Sequence, residues 1–168
     1  MVEALDGALP SDVSSLAETV LRRAHALGLA VATAESCTGG LLASLLTDVD
    51  GYGHVFERGF VVYSETSKRE LLGVDPEKLR RCGAVSAPVA EAMAEGALRC
   101  SHADLAIAIT GFAGRGAPGD EPGLVHFALA RKARLIQLRE EHFGDVGRAA
   151  VRLECLRCGL QMLLEALG

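Results

Sequence analysis

Two short apolar segments constrain the fold of this 168-residue chain more than any other feature. They are LAVATA at residues 29–34 and ADLAIAIT at residues 103–110. Both have the length of a strand, and the second is continuously apolar, which predicts a central strand covered on both faces. Glycine-rich segments follow them, at residues 36–40 and 111–119. Because ligands of α/β sheets sit at the carboxyl ends of strands, we expect both segments at that edge.

Helical periodicity accounts for most of the remaining chain. Residues 12–27 place apolar side chains on one stripe, with Ser11 or Asp12 as the cap and Gly28 at the end. Further helices are predicted from about Cys37 or Thr38 to Thr47, and over residues 66–73, 75–83, 86–100 and 147–166. Further strands are predicted at residues 57–64, 123–130 and 133–143, the last two joined as a hairpin at residues 131–133.

The order of these elements predicts the fold class, because helices and strands alternate without a repeat, a linker or a low-complexity tract. This pattern is typical of a single α/β domain. We expect a three-layer sandwich: a mixed, mostly parallel sheet with helices on both faces and a late β-hairpin. The domain is predicted to span residues 12–168, after an N-terminal extension of residues 1–11.

Composition excludes several classes of protein. The formal net charge is −5 and the pI about 5.5, which disfavours direct nucleic-acid binding because that affinity comes mainly from Lys and Arg. Aromatic residues make up 4% of the chain, so stacking platforms for single strands are scarce. The N-terminus lacks the pattern of a signal peptide, and no apolar run approaches about 18 residues. We therefore expect a cytoplasmic protein that does not contact membranes.

The cysteines and histidines indicate neither disulfides nor a metal site. The chain has five cysteines, an odd number at irregular spacing, so reduced thiols are expected. Cys155 and Cys158 have the spacing of a redox pair, but they lie within a strongly helical pattern rather than after a strand. The five histidines are scattered singly, and no metal site is assigned.

The first glycine-rich segment, SCTGG, allows three interpretations. Ser36 caps the next helix, and Gly39 with Gly40 lets that helix pack closely on the sheet. Alternatively, helix N-terminal amides beside glycines bind an anion. In the third interpretation, a sharp strand-to-helix turn exposes the Ser36 hydroxyl or the Cys37 thiol as a nucleophile, and nearby amides bind an oxyanion. Neither a P-loop nor a dinucleotide-binding fingerprint is present.

A nucleophilic serine needs a base, and a lysine is the candidate. The chain has three lysines, Lys68, Lys78 and Lys132, against fourteen arginines. Arginine keeps its proton near neutral pH, whereas a desolvated lysine loses it. Lys68 lies about one helical turn beyond the strand at residues 57–63, near the sheet edge of Ser36. The pattern TSKRELL also fits a solvated surface lysine, and the sequence pattern leaves this choice open.

Longer motifs carry a family resemblance that covers nearly the whole chain. TAESCTGG, FERGFVVYS, GAVSAPVAEAMAEGAL and AIAITGFAG resemble the CinA C-terminal domain family, whose stand-alone members include nicotinamide-nucleotide amidases. The resemblance implies hydrolysis of nicotinamide mononucleotide to nicotinate mononucleotide and ammonia in pyridine-nucleotide recycling. It also implies a homo-oligomer that uses no metal and no cofactor. Longer members carry a molybdopterin-binding-like domain, which we do not expect here.

The resemblance assigns catalytic roles by motif. Ser36 would be the nucleophile and Lys68 its base, with Tyr63 orienting Lys68 or relaying its proton. Arg148, near the start of the last helix, would lower the pKa of Lys68 together with burial. The backbone amides of Ser36 and Cys37 are the expected oxyanion donors.

Substrate binding is expected from the two glycine-rich segments, whose amides suit a phosphate. The candidate binding residues are Cys37, Thr38, Gly39, Gly40, Thr110, Gly111, Ala113, Gly114 and Arg115. Two positions depart from the family pattern: Arg115 stands where proline is usual, in a shortened loop, and Glu65 stands where asparagine is frequent. Arg115 either contacts the substrate phosphate or alters specificity.

Two rival interpretations stay open at this point. One is a non-catalytic interaction protein of competence or DNA-damage responses. The other is the same machinery acting on a different amide or nucleotide.

Overall fold

The two apolar segments predicted as strands lie side by side inside a five-stranded sheet. A computed structural model describes residues 9–168 of the chain. The strands are β1 (Val31–Glu35), β2 (Phe56–Val61), β3 (Leu105–Gly111), β4 (Leu124–Arg131) and β5 (Gln137–His142), in the order β2-β1-β3-β4-β5. β1 pairs in parallel with both β2 and β3, so the segments after them meet at one edge.

The sheet is mixed, as predicted. β4 is antiparallel to both β3 and β5, so four of the five strands run in one direction. The hairpin of β4 and β5 forms where the sequence places it, although β5 begins at Gln137 rather than at residue 133.

Helices cover both faces of the sheet, which confirms the predicted layered α/β architecture. The helices of residues 9–168 are α1 (Ser11–Leu27), α2 (Leu41–Thr47), α3 (Glu65–Leu72), α4 (Pro76–Cys82), α5 (Ala87–Arg99) and α6 (Arg148–Ala166). Residues of α1, α2 and α6 share one apolar core, and residues of α3, α4 and α5 share the other. Within the described chain, none of these helices combines the length and apolar character needed to cross a bilayer.

Side-chain size differs between the two faces of the sheet. Leu105, Ile107 and Ile109 of β3 enter the core of α1 and α6, whereas Ala106 and Ala108 enter the core of α5. Small side chains on that face let α5 pack close to the strands.

α5 also packs closely against α3. A Cβ added at Gly96 of α5 would collide with the carbonyl oxygen and Cβ of Leu72 in α3. The same carbonyl oxygen accepts a hydrogen bond from Nη2 of Arg99 at 2.8 Å. The C-terminal turn of α3 therefore rests directly on α5.

One predicted helix start and one predicted helix cap are wrong. α2 begins at Leu41, not at Cys37 or Thr38, because Gly39 and Gly40 adopt left-handed backbone angles (φ 62° and 92°) that interrupt a right-handed helix. Ser36 is therefore not the cap of α2. α1 is preceded by Pro10 and has no side-chain cap, so neither Ser11 nor Asp12 performs that role. Residues 1–8 of the predicted N-terminal extension lie outside the described residues.

Candidate active site

Ser36 and Lys68 meet at the carboxyl edge of the sheet. The Nζ atom of Lys68 lies 3.0 Å from Oγ of Ser36, and both side chains are buried. The alternative of a solvated Lys68 is wrong, because 1% of this residue is exposed.

Strand pairing places Ser36. The residue follows β1 directly, and its backbone N–H donates to the carbonyl oxygen of Ile109 in β3 at 3.0 Å. On the other side of β1, the N–H of Val62 donates to the carbonyl oxygen of Glu35 at 2.8 Å. The ends of β2 and β3 thus hold the start of the Ser36 turn between them.

The first turn of α3 places Lys68. Ser64 caps this helix, and its side chain and that of Ser67 form a reciprocal capping box. Lys68 lies one turn into α3 and reaches back toward β2, where Nζ is 2.8 Å from the carbonyl oxygen of Val62 and 3.4 Å from that of Tyr63.

Burial makes the charged form of Lys68 less favourable than that of an ordinary lysine. Burial lowers the pKa of Lys68 from the ordinary lysine value, while negative charge at Cys37 and Glu65 opposes this effect. Arg148 lines the same cavity as Lys68, and its effect on this pKa stays a prediction. A neutral amine has two hydrogens and one lone pair. The two carbonyl oxygens accept the hydrogens, which leaves the lone pair for the Ser36 hydroxyl.

The turn from Ser36 to Gly40 has unused backbone donors. The Ser36 N–H is not available to an oxyanion, contrary to expectation, because it already bonds to Ile109. Within residues 9–168, the N–H groups of Cys37 and Thr38 have no acceptor in the chain. Of these two residues, Cys37 lines the cavity and Thr38 does not, so the N–H of Cys37 is the candidate oxyanion donor at this turn.

A cavity of about 300 Å³ opens beside Ser36 and Lys68. Most of the predicted site residues line it: Ser36, Cys37, Tyr63, Lys68, Thr110, Gly111, Ala113, Gly114, Arg115 and Arg148. Thr38, Gly39 and Gly40 do not line it, because they form the part of the turn that leads away into α2. Tyr63 is 69% exposed, and its contact with Lys68 is made by its carbonyl oxygen.

The two arginines of the cavity differ in their partners. Arg115 forms an ion pair with Asp145, with its Nη2 3.0 Å from Oδ2, and its side chain is largely exposed. Arg148 packs against Gly114, where an added Cβ would lie 3.5 Å from Nη2. No carboxylate of residues 9–168 pairs with Arg148. Its charge is thus available to an anionic ligand.

Cys37 is the other candidate nucleophile. Its thiol faces Cys155 of α6, which lowers the pKa of Cys37 by hydrogen bonding, while burial opposes the shift. Lys68 bonds to Ser36 and not to Cys37. The geometry therefore favours the hydroxyl.

No metal is indicated near this pair of residues. No histidine lines the cavity. In the part of the chain that is described, no three His, Cys, Asp or Glu side chains are grouped to bind a metal ion.

Comparison with known proteins identifies the family. The family model of the CinA C-terminal domain matches residues 13–167. The chain belongs to the CinA C-terminal domain family. A relative of this CinA family, the nicotinamide-nucleotide amidohydrolase PncC of Escherichia coli, is 44% identical over 158 residues, which cover 92% of this chain and 94% of PncC.

Other relatives are longer or are known as structures. The CinA-like protein of Chlorobium limicola is 52% identical over 121 residues, covering 71% of this chain but 28% of that protein. The matched residues thus span less than a third of the length of this relative. The crystal structure of the competence/damage inducible protein CihA from Agrobacterium tumefaciens has a TM-score of 0.91 and 44% identity, covering 95% of this chain and 97% of that one.

Sequence reasoning missed several residues of this CinA-type site. Ala84, Val85, Phe112 and Gly116 also line the cavity. Ala84 is tied to the edge of the sheet, because its carbonyl oxygen accepts from Oγ1 of Thr110 at 2.8 Å. The GAVSAP segment at residues 83–88 was the sequence feature that could have indicated Ala84 and Val85.

Glu35 was missed as well. It is fully buried, and its carboxylate accepts from the N–H groups of Leu42 and Ala43, each at 2.9 Å. A lone carboxylate at the end of an apolar strand was the signal for this cap of α2.

Proposed function

We propose that this chain is a serine amidohydrolase that converts nicotinamide mononucleotide to nicotinate mononucleotide and ammonia, in pyridine-nucleotide recycling. The observation that carries the proposal is the 3.0 Å separation of Lys68 Nζ and Ser36 Oγ in a cavity large enough for a small ligand. The 44% identity to PncC over nearly the full length of both chains supports the substrate.

In the first half-reaction, neutral Lys68 accepts the proton of Ser36, and Oγ attacks the carboxamide carbon. The N–H of Cys37 stabilises the oxyanion that forms on the carboxamide oxygen. The C–N bond then breaks, and Lys68 returns its proton to the leaving nitrogen, which departs as ammonia. The nicotinoyl group remains as an ester on Ser36.

In the second half-reaction, Lys68 accepts a proton from water, and the resulting hydroxide attacks the ester carbonyl carbon. The Ser36 ester bond breaks, and Lys68 gives the proton back to Oγ. Nicotinate mononucleotide leaves, and the base is again neutral. Arg148 and residues 113–116 line the cavity, and in this proposal the guanidinium and the loop amides bind the phosphate of the nucleotide.

Incubation of the purified protein with nicotinamide mononucleotide, followed by an ammonia assay, tests the proposal. Ser36→Ala and Lys68→Ala should each lower ammonia release by about a hundredfold or more. Ser44→Ala, on the exposed side of α2, is the control and should retain full activity. Unchanged release in either site variant would remove the mechanism.

The rival interpretation is a non-catalytic role in competence or DNA-damage responses. The name of the Agrobacterium tumefaciens relative favours it. A wild-type protein that releases no ammonia from nicotinamide mononucleotide or from other amides would support this alternative. Ammonia release from another amide, but not from nicotinamide mononucleotide, would support the mechanism and refute the substrate. Arg115, which departs from the family pattern, would then be the first residue to test for a role in specificity.

A further inference from the structure

The turn that carries Ser36 is held by an arginine outside the cavity. Arg152 lies on α6, and its Nη2 donates to the carbonyl oxygen of Thr38 at 2.8 Å, although 114 residues separate them. The guanidinium also packs against Gly39, where an added Cβ would lie 3.6 Å from Nη2. It thus contacts the middle of the turn, two residues beyond the nucleophile.

The surroundings of Arg152 differ from those of an ordinary structural arginine. No carboxylate of residues 9–168 pairs with it. Its Nε is buried without an acceptor, and so is the hydroxyl Oγ1 of Thr38. Buried polar groups in native proteins are nearly always satisfied, and exceptions call for an explanation. A task at the turn would explain an arginine with an unsatisfied Nε at this position.

Two backbone hydrogen bonds also brace the turn, from the Gly39 N–H to the Ser36 carbonyl oxygen and from the Leu41 N–H to the Thr38 carbonyl oxygen, each at 3.1 Å. The glycines of the turn adopt left-handed angles, and the N–H groups of Cys37 and Thr38 bond to no other group in residues 9–168. Strand β3 fixes the turn at Ser36, and Glu35 fixes its exit into α2. The peptide units between these points carry the proposed oxyanion donor, and Arg152 is the side chain that bonds to them.

We propose that Arg152 is a positioning residue for the proposed amidase reaction. By holding the Thr38 carbonyl, it fixes the peptide planes that aim the Cys37 N–H at the oxyanion. It touches neither the substrate nor the reacting atoms. This inference rests on the proposed function for its substrate, but its test does not depend on that substrate.

The rate at which a small aryl sulfonyl fluoride labels Ser36 tests this role. Oγ forms a bond to sulfur, fluoride leaves, and the serine proton passes to Lys68, so intact-mass spectrometry follows the reaction directly. Arg152→Met should slow labelling by about tenfold or more, because a preorganised donor is lost. Labelling should still reach completion. Ammonia release should show lower kcat with KM little changed.

A matched variant separates this effect from a general loss of packing. Arg157 lies on the same helix, where it pairs with Asp12 and Glu154. Arg157→Met removes the same charge and should label Ser36 at the wild-type rate. Arg152→Lys keeps the charge but loses the planar fork, so it should label at an intermediate rate.

Several results would overturn the inference. One is a wild-type labelling rate in Arg152→Met. A second is a normal rate with incomplete labelling, which indicates partial unfolding alone. A third is a shifted pH profile of labelling, which indicates an effect on Lys68.

Two further outcomes concern the folding of Arg152→Met and the substrate of the reaction. If Arg152→Met does not fold, Arg152→Lys replaces it, with Arg157→Lys as its control. Equal labelling rates of Ser36 in these two lysine variants would overturn the inference. Labelled Ser36 without hydrolysis of nicotinamide mononucleotide would refute the substrate and leave the role of Arg152 intact.

Discussion

Lys68 Nζ and Ser36 Oγ lie 3.0 Å apart, although 32 residues separate them in sequence. A short path of backbone links them. Val62 donates its N–H to the carbonyl oxygen of Glu35, next to the serine, and its own carbonyl oxygen contacts the lysine amine. The register of β1 against β2 therefore sets the distance between the proposed base and nucleophile.

Lys68→Arg should lower amidase activity by about a hundredfold or more. A guanidinium keeps its proton at any pH at which the protein is folded, so it cannot act as the base. The measurement is ammonia release from nicotinamide mononucleotide. Lys132→Arg is the control, since that lysine is exposed and pairs with Asp104. Substantial activity in Lys68→Arg would exclude Lys68 as the base.

The rate should depend on pH through Lys68. Burial lowers its pKa, so the neutral, active form appears as the pH rises through a value below the ordinary 10.5 of lysine. We expect kcat/KM to increase from acid to alkaline pH with a midpoint below 10.5. A flat profile, or one that falls over this range, would contradict a neutral lysine as the active species.

Tyr63→Phe should retain activity within about threefold of wild type, because the contact with Lys68 is made by the backbone carbonyl and the side chain is largely exposed. Steady-state kinetics measure this directly. A loss of about a hundredfold with intact folding would instead assign proton relay to the phenol.

Arg148→Met and Arg115→Met should differ in their effect on binding of the substrate phosphate. Arg148 is unpaired by any carboxylate of residues 9–168, whereas Arg115 is paired with Asp145. We expect Arg148→Met to raise KM for nicotinamide mononucleotide by about tenfold or more. The same variant should change little with nicotinamide riboside, which lacks the phosphate. A larger effect from Arg115→Met would assign the phosphate to the loop residue instead.

Glu35→Gln should destabilise the fold by about 1–3 kcal/mol, because an amide side chain offers one acceptor where Leu42 and Ala43 both donate to the carboxylate. Urea denaturation measures the change. Glu18→Gln, at an exposed position of α1, should leave stability unchanged. Equal stability in both variants would show that the cap of α2 contributes little.

Apolar runs and glycine positions were enough to predict much of this site. Two buried strands followed by glycines placed Ser36 and Gly111 at one edge, and the position of Lys68 in the next helix brought it there too. Both inferences depend on local pattern and on the direction of parallel strands, which a sequence reveals.

Side-chain partners that cross the chain could not be predicted. The pairing of Arg115 with Asp145 depends on how two loops meet, and that of Arg152 with the Thr38 carbonyl depends on how α6 sits against the turn after β1. The start of α2 was misplaced because left-handed angles at Gly39 and Gly40 are one of several conformations open to glycine.

The close approach of α5 to α3 has an evolutionary consequence. A Cβ at Gly96 would collide with the carbonyl oxygen of Leu72, so a larger residue there must displace the C-terminal turn of the helix that bears Lys68. Substitutions at the contact between α3 and α5 can therefore change the catalytic rate without changing a residue that lines the cavity. A screen for faster or slower homologues would find informative substitutions there as well as around the ligand.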